Sequence, residues 1–328
     1  MKTSNMLNVK GIFLFSLFIL YSSICQSQVA YFGKSLANSQ KLETFKKTTT
    51  LFTLQYTDYA ELEKFDQAIK KTWTITPYKI IKPEDLARYD TLANYSFFYF
   101  DGYAEKLDTT TNINVVYALK LVSPSKKPKV KEESVLATVN LFADQNTNLL
   151  VETQDQQFGS KRSIKNNLLS NLYNKSNFLN WSPGLLAGYL KQINDGLLAN
   201  ENCSIDYQFY NKIRLPELAK ETLYVPEYIK QVFSSRLALL PPSGIIAEPY
   251  NYKLKFIPYK ALDSLILNKD TPIKYVVYTQ RSDDKIISVY DSKDDKIIYQ
   301  RFYPQSPNFE MNDLSEIKKV IVSLSSLK

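Results

Sequence analysis

Thr222-Leu-Tyr-Val-Pro226 and Tyr252-Lys-Leu-Lys-Phe-Ile257 open the stretch whose reading decides the fold. The first is a short β-type run. Residues 227–240 then carry Ile229, Val232, Phe233, Leu237 and Leu240 at helical spacing, which predicts a helix between two strands. The second run alternates polar and apolar residues until Pro258 breaks it, and residues 259–267 place Leu262, Leu265 and Ile266 on one helical face. Residues 273–278, 285–290 and 296–302 are β-branched and aromatic. The last two are joined by Asp291-Ser-Lys-Asp-Asp295, whose short polar side chains suit a turn.

The first half of the chain echoes this order. Thr50-Leu-Phe-Thr-Leu54 is a strand, and residues 58–72 with Leu62, Phe65, Ile69 and Trp73 form an amphipathic stripe, opened by Asp58 and Glu61 at reciprocal-capping spacing. Tyr78-Lys-Ile-Ile81 meets Pro83, a helical turn runs through Leu86, and Tyr95-Ser-Phe-Phe-Tyr-Phe100 resumes the sheet. The first strand and the Tyr-Lys strand are 28 positions apart here and 30 in the second unit. Strand-helix-strand crossovers pair their strands in parallel, and the short turns later in each unit pair theirs antiparallel, so mixed sheets are expected. The nearly continuous apolar run at residues 95–100 predicts a strand covered on both faces.

Residues 114–122 and 134–142 read as strands flanking a lysine-rich loop, and Leu149-Leu-Val-Glu-Thr153 as a further strand. From Ser160 the period turns helical. Ile164, Leu168, Leu169 and Leu172 mark one helix, and Leu185, Leu186, Tyr189, Leu190, Ile193 and Leu197 a second, with Ser182-Pro183 as cap and first turn. A last helix over residues 312–327 lines up Leu314, Ile317, Val320, Ile321 and Leu324, a stripe suited to docking on the protein's own sheet. The expected fold class is α+β, a mixed α/β chain of two pseudo-repeated strand-helix-strand units with mixed sheets joined by a helical segment. Its expected divisions are a signal peptide (1–27), a first α/β unit (28–158), a helical connection (159–220), and a second α/β unit with a C-terminal helix (221–328).

Lys2 and Lys10 precede an apolar run over residues 11–20 that is too short for a membrane span and suits a secretory signal. Small residues in Cys25-Gln-Ser27 favour cleavage after Ser27, leaving Gln28 first. The rival is lipidation at Cys25, which the bulky Ile24 disfavours. Export, to the periplasm or beyond, is therefore the expectation, with a membrane anchor only if Cys25 is acylated. Removal of the segment takes away Lys2 and Lys10 and leaves a charge of about +6 by count. It also leaves Cys203 as the single cysteine, expected to be buried, with an intermolecular bond as the alternative, so packing rather than an internal disulfide has to hold the fold.

Lys126, Lys127, Lys129 and Lys131 are interrupted by Pro128 and run into Glu132 and Glu133, which suits a solvated loop better than a nucleic-acid surface. The chain has no histidine, so the usual general base and nitrogen ligand are both absent, and no Ser-His-Asp or Cys-His constellation can form. Neither a zinc nor a calcium motif is present, and the 8 glycines form no phosphate or dinucleotide loop, so no cofactor is expected. Ser282-Asp-Asp-Lys285 and Ser315-Glu-Ile-Lys318 match Ser-x-x-Lys without the companion motifs of that chemistry, and Asp283-Asp284 and Asp294-Asp295 fall in turns where solvation explains them.

The 24 tyrosines and 18 phenylalanines mostly lie on faces that read as core. Trp181, Tyr250 and Tyr252 stand at element boundaries and are the candidate ligand contacts, ahead of Trp73 on its apolar stripe. These observations point to an exported, non-catalytic accessory or binding protein of the bacterial cell envelope. It would present a surface or a cleft between its two units to a protein, peptide or glycan. A carboxylate-dependent envelope hydrolase, marked by a pocket with two acids in opposed environments, is the alternative. A structural subunit of an outer-membrane or cell-surface assembly is a third.

Overall fold

The computed structural model describes residues 28–33, 36–89, 92–107, 110–124, 131–154, 161–203, 208–230, 232–233, 239–240 and 250–326. The signal segment, its cleavage site and Cys25 lie outside these residues. In chain order the elements are β1 (Val29–Phe32), α1 (Leu36–Phe45), β2 (Thr49–Thr53), α2 (Leu62–Thr72), β3 (Tyr78–Ile81), α3 (Leu86–Tyr89), β4 (Tyr95–Leu107), β5 (Thr110–Pro124), β6 (Lys131–Asn140), α4 (Gln145–Glu152), α5 (Lys161–Asn174) and α6 (Pro183–Leu198). They continue with β7 (Asn202–Cys203), β8 (Phe209–Tyr210), β9 (Leu223–Pro226), β10 (Val232–Phe233), β11 (Leu239–Leu240), β12 (Leu254–Ile257), α7 (Tyr259–Leu267), β13 (Lys274–Gln280), β14 (Lys285–Asp291), β15 (Lys296–Tyr303) and α8 (Met311–Ser325).

Two mixed sheets result. One has the order β3-β2-β4-β5-β6-β1-β7, the other β12-β9-β13-β14-β15-β8. In the first, β2 runs parallel to both β3 and β4, and β4, β5 and β6 then form an antiparallel meander. In the second, β9 runs parallel to both β12 and β13, and β13, β14 and β15 form the same meander. The five strands of each unit thus share one order and one set of directions, because each crossover places its second strand outside the first and its third inside. Each unit adds its own edge: β1 and β7 beyond β6, and β8 beyond β15.

α6 lies between the sheets. Twelve of its sixteen residues are buried, and its short polar face carries the Lys191–Asp195 pair (2.7 Å). Ser182 caps it through Leu185 N (3.3 Å), with Pro183 in its first turn, as the sequence predicts. One core joins Phe52, Phe98, Phe100 and Tyr117 of the first sheet, Leu186, Tyr189 and Leu190 of α6, and Tyr275, Val277 and Tyr290 of the second sheet. β13 and β14 are buried at every residue, since α8 covers their other face with Leu314, Ile317, Ile321 and Leu324. β4 is also covered twice, with Phe98 and Phe100 in the large core and Phe97 in a smaller cluster with Leu51 and Ile81.

Four local expectations are corrected. Residues 227–240 do not form one helix: a 3-10 turn spans Glu227–Lys230, and β10 pairs with β11 through Val232 and Leu240. Leu240 precedes Pro241, which biases it to extended backbone. Residues 149–152 are the end of helix α4, with Thr153 as its C-cap, rather than a strand, because Asp144 accepts a bond from Thr147 N (2.9 Å) and caps the first turn. Asp58 does not pair with Glu61. It accepts from Gln55 N (2.9 Å) and caps a 3-10 turn, Tyr56–Glu61, that leads into α2. Cys203, expected to be buried, is half-buried on β7.

Candidate functional site

Among the described residues, buried polar side chains bridge the seam between the units. Gln28, with no exposed surface, donates its Nε2 to Asn140 O (2.5 Å) and accepts at Oε1 from Thr279 Oγ1. Asn180 donates to Asn140 O (3.1 Å) and Thr279 Oγ1 (2.8 Å) and accepts from Phe142 N (2.7 Å). A second latch holds Arg281 to Asn114 Oδ1 and Asp284 Oδ2, both at 2.7 Å, while Ile113 N donates to Ser282 Oγ (2.8 Å). These buried bonds tie the two units together across the seam.

Among the described residues, an open groove lies at the outer edge of the first sheet. β3 is its last strand, four residues long and bracketed by Pro77 and Pro83. Thr50 N donates to Pro77 O (2.8 Å), so by alternation Lys79 and Ile81 turn their backbone groups toward β2, and Tyr78 and Ile80 turn theirs outward. Beside this edge, Leu62, Glu63 and Asp66 of α2 and Tyr78, Lys79 and Ile80 line a shallow groove of about 690 Å³. Leu62 is 38% exposed, Tyr78 and Ile80 are half-buried, and Glu63 and Lys79 are exposed.

Hydrogen bonds hold the groove's shape. Tyr78 Oη donates to Asp66 Oδ1 (2.9 Å), and its ring stands edge-on to Phe52 at 5.9 Å. Tyr59 Oη donates to Ile81 O (2.7 Å) and Tyr56 Oη to Glu84 Oε2 (2.5 Å), anchoring the far end. Burial pushes the hydroxyls of Tyr59 and Tyr78 up to about 12, with Asp66 adding to the shift at Tyr78, so both stay neutral donors at physiological pH.

The aromatic candidates lie elsewhere. Trp181 is 5% exposed, not at the surface; it stacks on Phe65 at 6.0 Å and donates Nε1 to Asp58 Oδ2 (2.9 Å). Tyr250 is buried and Tyr252 half-buried, their rings edge to face at 5.5 Å. None of the three lines the groove. The signal that marks the groove is Lys79 within Tyr78-Lys-Ile-Ile81 between prolines, the pattern of a short protected edge strand.

Other charged clusters are self-satisfied. A cavity of about 250 Å³ is lined by Arg214, Glu217, Glu221, Lys274, Asp291 and Lys293, but Lys274 already bonds Glu221 and Glu217 (2.9 Å), and Arg214 bonds Asp294 (2.7 Å). The two acidic dyads lie in turns, as expected, yet their second members are not solvated: Asp284 is paired with Arg281, and Asp295 with Lys269 (2.6 Å) and Lys71 (3.3 Å). Lys285 is engaged by Asn308 O (2.5 Å) and Asp313 (2.8 Å), and Ser282 serves the seam. Among the described residues no group of three or more Cys, Asp or Glu is placed to hold a metal ion, and no helix is long and apolar enough to cross a membrane.

Near the start of α6, Asp58 takes bonds from the Trp181 indole and Gln55 N, and Asp263 Oδ1 takes one from Gly184 N (2.8 Å). Desolvation pushes both upward, Asp58 to about 6, against the pull of those bonds, so burial moves the two carboxyls in the same direction. The consequence is a reversed pH dependence. Asp58's contribution to stability is full below its ordinary value of 3.8 and is lost as pH rises through about 6. Asp101, Asp263 and Asp313 shift the same way through burial. Acidifying from about pH 7.5 to about pH 5 should raise the melting midpoint, with Asp58's share about 1 kcal/mol, or about 2–4 °C. Asp58→Asn keeps both accepted bonds and should shrink that rise, read by circular dichroism; an identical pH profile in the variant would refute the assignment.

No family model matches the chain, and no curated protein or solved structure matches it.

Proposed function

We propose that this chain is an exported binding protein of the bacterial cell envelope, and that it captures an extended peptide segment of a partner protein by strand addition at β3. The carrying observation is the conjunction of outward backbone groups at Tyr78 and Ile80 with a groove of mixed lining beside them, in which Leu62 and Ile80 are the apolar contacts and Glu63, Asp66 and Lys79 the charged ones. Strand addition draws affinity from main-chain bonds and specificity from pockets for alternate side chains, and this edge offers both. Lys2, Lys10 and the apolar run after them support the export half of the reading. The commitment of the buried acids and lysines to structural bonds favours binding over hydrolysis.

Peptides selected from an extended-peptide library against the purified mature protein should slow amide exchange at Tyr78 and Ile80. N-methylation of the peptide at alternate residues should abolish that protection. Leu62→Asp should weaken binding by about tenfold, the effect of losing one apolar anchor of about 1.4 kcal/mol. Protection mapping elsewhere, with residues 78–81 unchanged, would overturn the proposal.

A further inference from the structure

The β3 edge also carries a charge pattern that bears on what it accepts, an inference resting on the strand-addition reading above. Side chains alternate along a strand, so Tyr78 and Ile80 face α2 and the groove, while the side chains of Lys79 and Ile81 alternate to the other side; Lys79 borders the groove at the strand's edge, and Ile81 packs with Leu51 and Phe97. Lys79 is exposed and makes no ion pair among the described residues. On the groove side, Asp66 is engaged by Tyr78, whereas Glu63 is exposed and holds only a long bond from Gln67 (3.4 Å). The edge therefore shows a cation on one face and a carboxylate on the other.

A second copy of the chain fits this pattern poorly. A two-fold antiparallel pairing of two β3 edges in register on Lys79 sets the two lysines directly opposite, and the neighbouring registers leave them as diagonal neighbours on one face. Like charges so placed oppose pairing, which is how natural edge strands avoid their own kind. A strand bearing an acid at that position would gain what a second copy loses.

We infer that the occupant is a partner segment in which two apolar residues, spaced two apart, enter the groove over Leu62 and Ile80. The residue between them is Asp or Glu and sits beside Lys79. A Lys or Arg two positions beyond the second apolar residue, again on the groove side, meets Glu63.

Two blocked heptapeptides test this, Ac-SVEVTKS-amide and its counterpart with Lys in place of Glu, titrated by fluorescence anisotropy with exchange protection of residues 78–81 as the second readout. The wild type should prefer the Glu peptide by about three- to tenfold, the size of an exposed attraction exchanged for a repulsion. Lys79→Glu should invert the preference while both peptides still protect Tyr78 and Ile80. Equal affinities with residues 78–81 protected would overturn the charge inference and leave strand addition standing. Absence of binding and of protection at millimolar peptide would overturn both.

Discussion

Gly196→Ala should destabilise the protein by about 3 kcal/mol, although the same change in an ordinary helix interior gains up to about 1 kcal/mol. A Cβ built on Gly196 falls 2.0 Å from Tyr31 Cε2 and 2.2 Å from Cζ. The ring cannot retreat easily. Tyr31 belongs to β1, which is paired on both sides, opposite Ala137 of β6 and Cys203 of β7. α6 is equally constrained, buried between the two sheets. Gly188, two turns earlier on the same helix, is the control, because its Cβ would meet Tyr290 at 3.2 Å and Tyr275 Oη at 3.4 Å, a contact that a few tenths of an ångström relieve. Gly188→Ala should stay within about 1 kcal/mol of wild type. For a chain of this size the difference amounts to about 4–8 °C in melting midpoint, measured by thermal and urea unfolding of both variants. Equal stabilities would show that β1 is not locked against α6.

Much of the architecture is legible without coordinates because it rests on local signals. Ser182-Pro183 announces α6, the stripe of Leu314, Ile317, Ile321 and Leu324 announces a docked α8, and the runs after Pro83 and Pro258 announce the strands that complete each unit. Misreadings arise where periodicity has two solutions. Val232 and Phe233 suit a helix face or a strand equally, and their pairing with Leu240 and Leu239, the former biased to extended backbone by Pro241, is the non-local term that periodicity does not state. Leu149 and Val151 suit a strand by alternation, yet Leu149 is 44% exposed while Val151 is buried, which is helix geometry fixed by the Asp144 cap.

The candidate site is less legible for a different reason. Tyr78-Lys-Ile-Ile81 reads as a strand from sequence, but its position at the sheet's edge depends on which strands pair, and no local pattern states that. Trp181 illustrates the converse. Its place just before the Ser182 cap of a long helix suggests a surface, and the chain fills that place with Phe65, Phe100 and Tyr117 from three other elements. The polar seam is wholly non-local: Gln28 meets Thr279 across 251 positions. Two polar side chains so far apart in sequence give no periodic signature.

Lys285→Met should cost about 3–5 kcal/mol at neutral pH, the effect of stranding a buried carboxylate. Lys285 is 1% exposed, and its ammonium donates to Asp313 Oδ2 (2.8 Å) and Asn308 O (2.5 Å) under the ring of Tyr303. Asp313 in turn accepts from Glu310 N (2.7 Å), the bond that starts α8. Burial already pushes the Asp313 carboxyl up, and Lys285 is one of the groups pulling it back. Methionine fills the lysine stem's space without a charge, so Asp313 moves further up in the variant. The sign of the pH effect follows: a raised acid contributes its stability at low pH and loses it as pH rises through the raised value. The deficit of Lys285→Met should therefore be largest near pH 7.5 and smaller near pH 5 by about 1 kcal/mol or more. Adding Asp313→Asn, which keeps an acceptor for Glu310 N and removes the stranded charge, should recover about 1–2 kcal/mol at neutral pH. Urea titrations of the single and double variants at both pH values decide it. A deficit independent of pH, with no recovery in the double variant, would mean that the lysine stabilises by packing alone and that α8 does not depend on the ion pair.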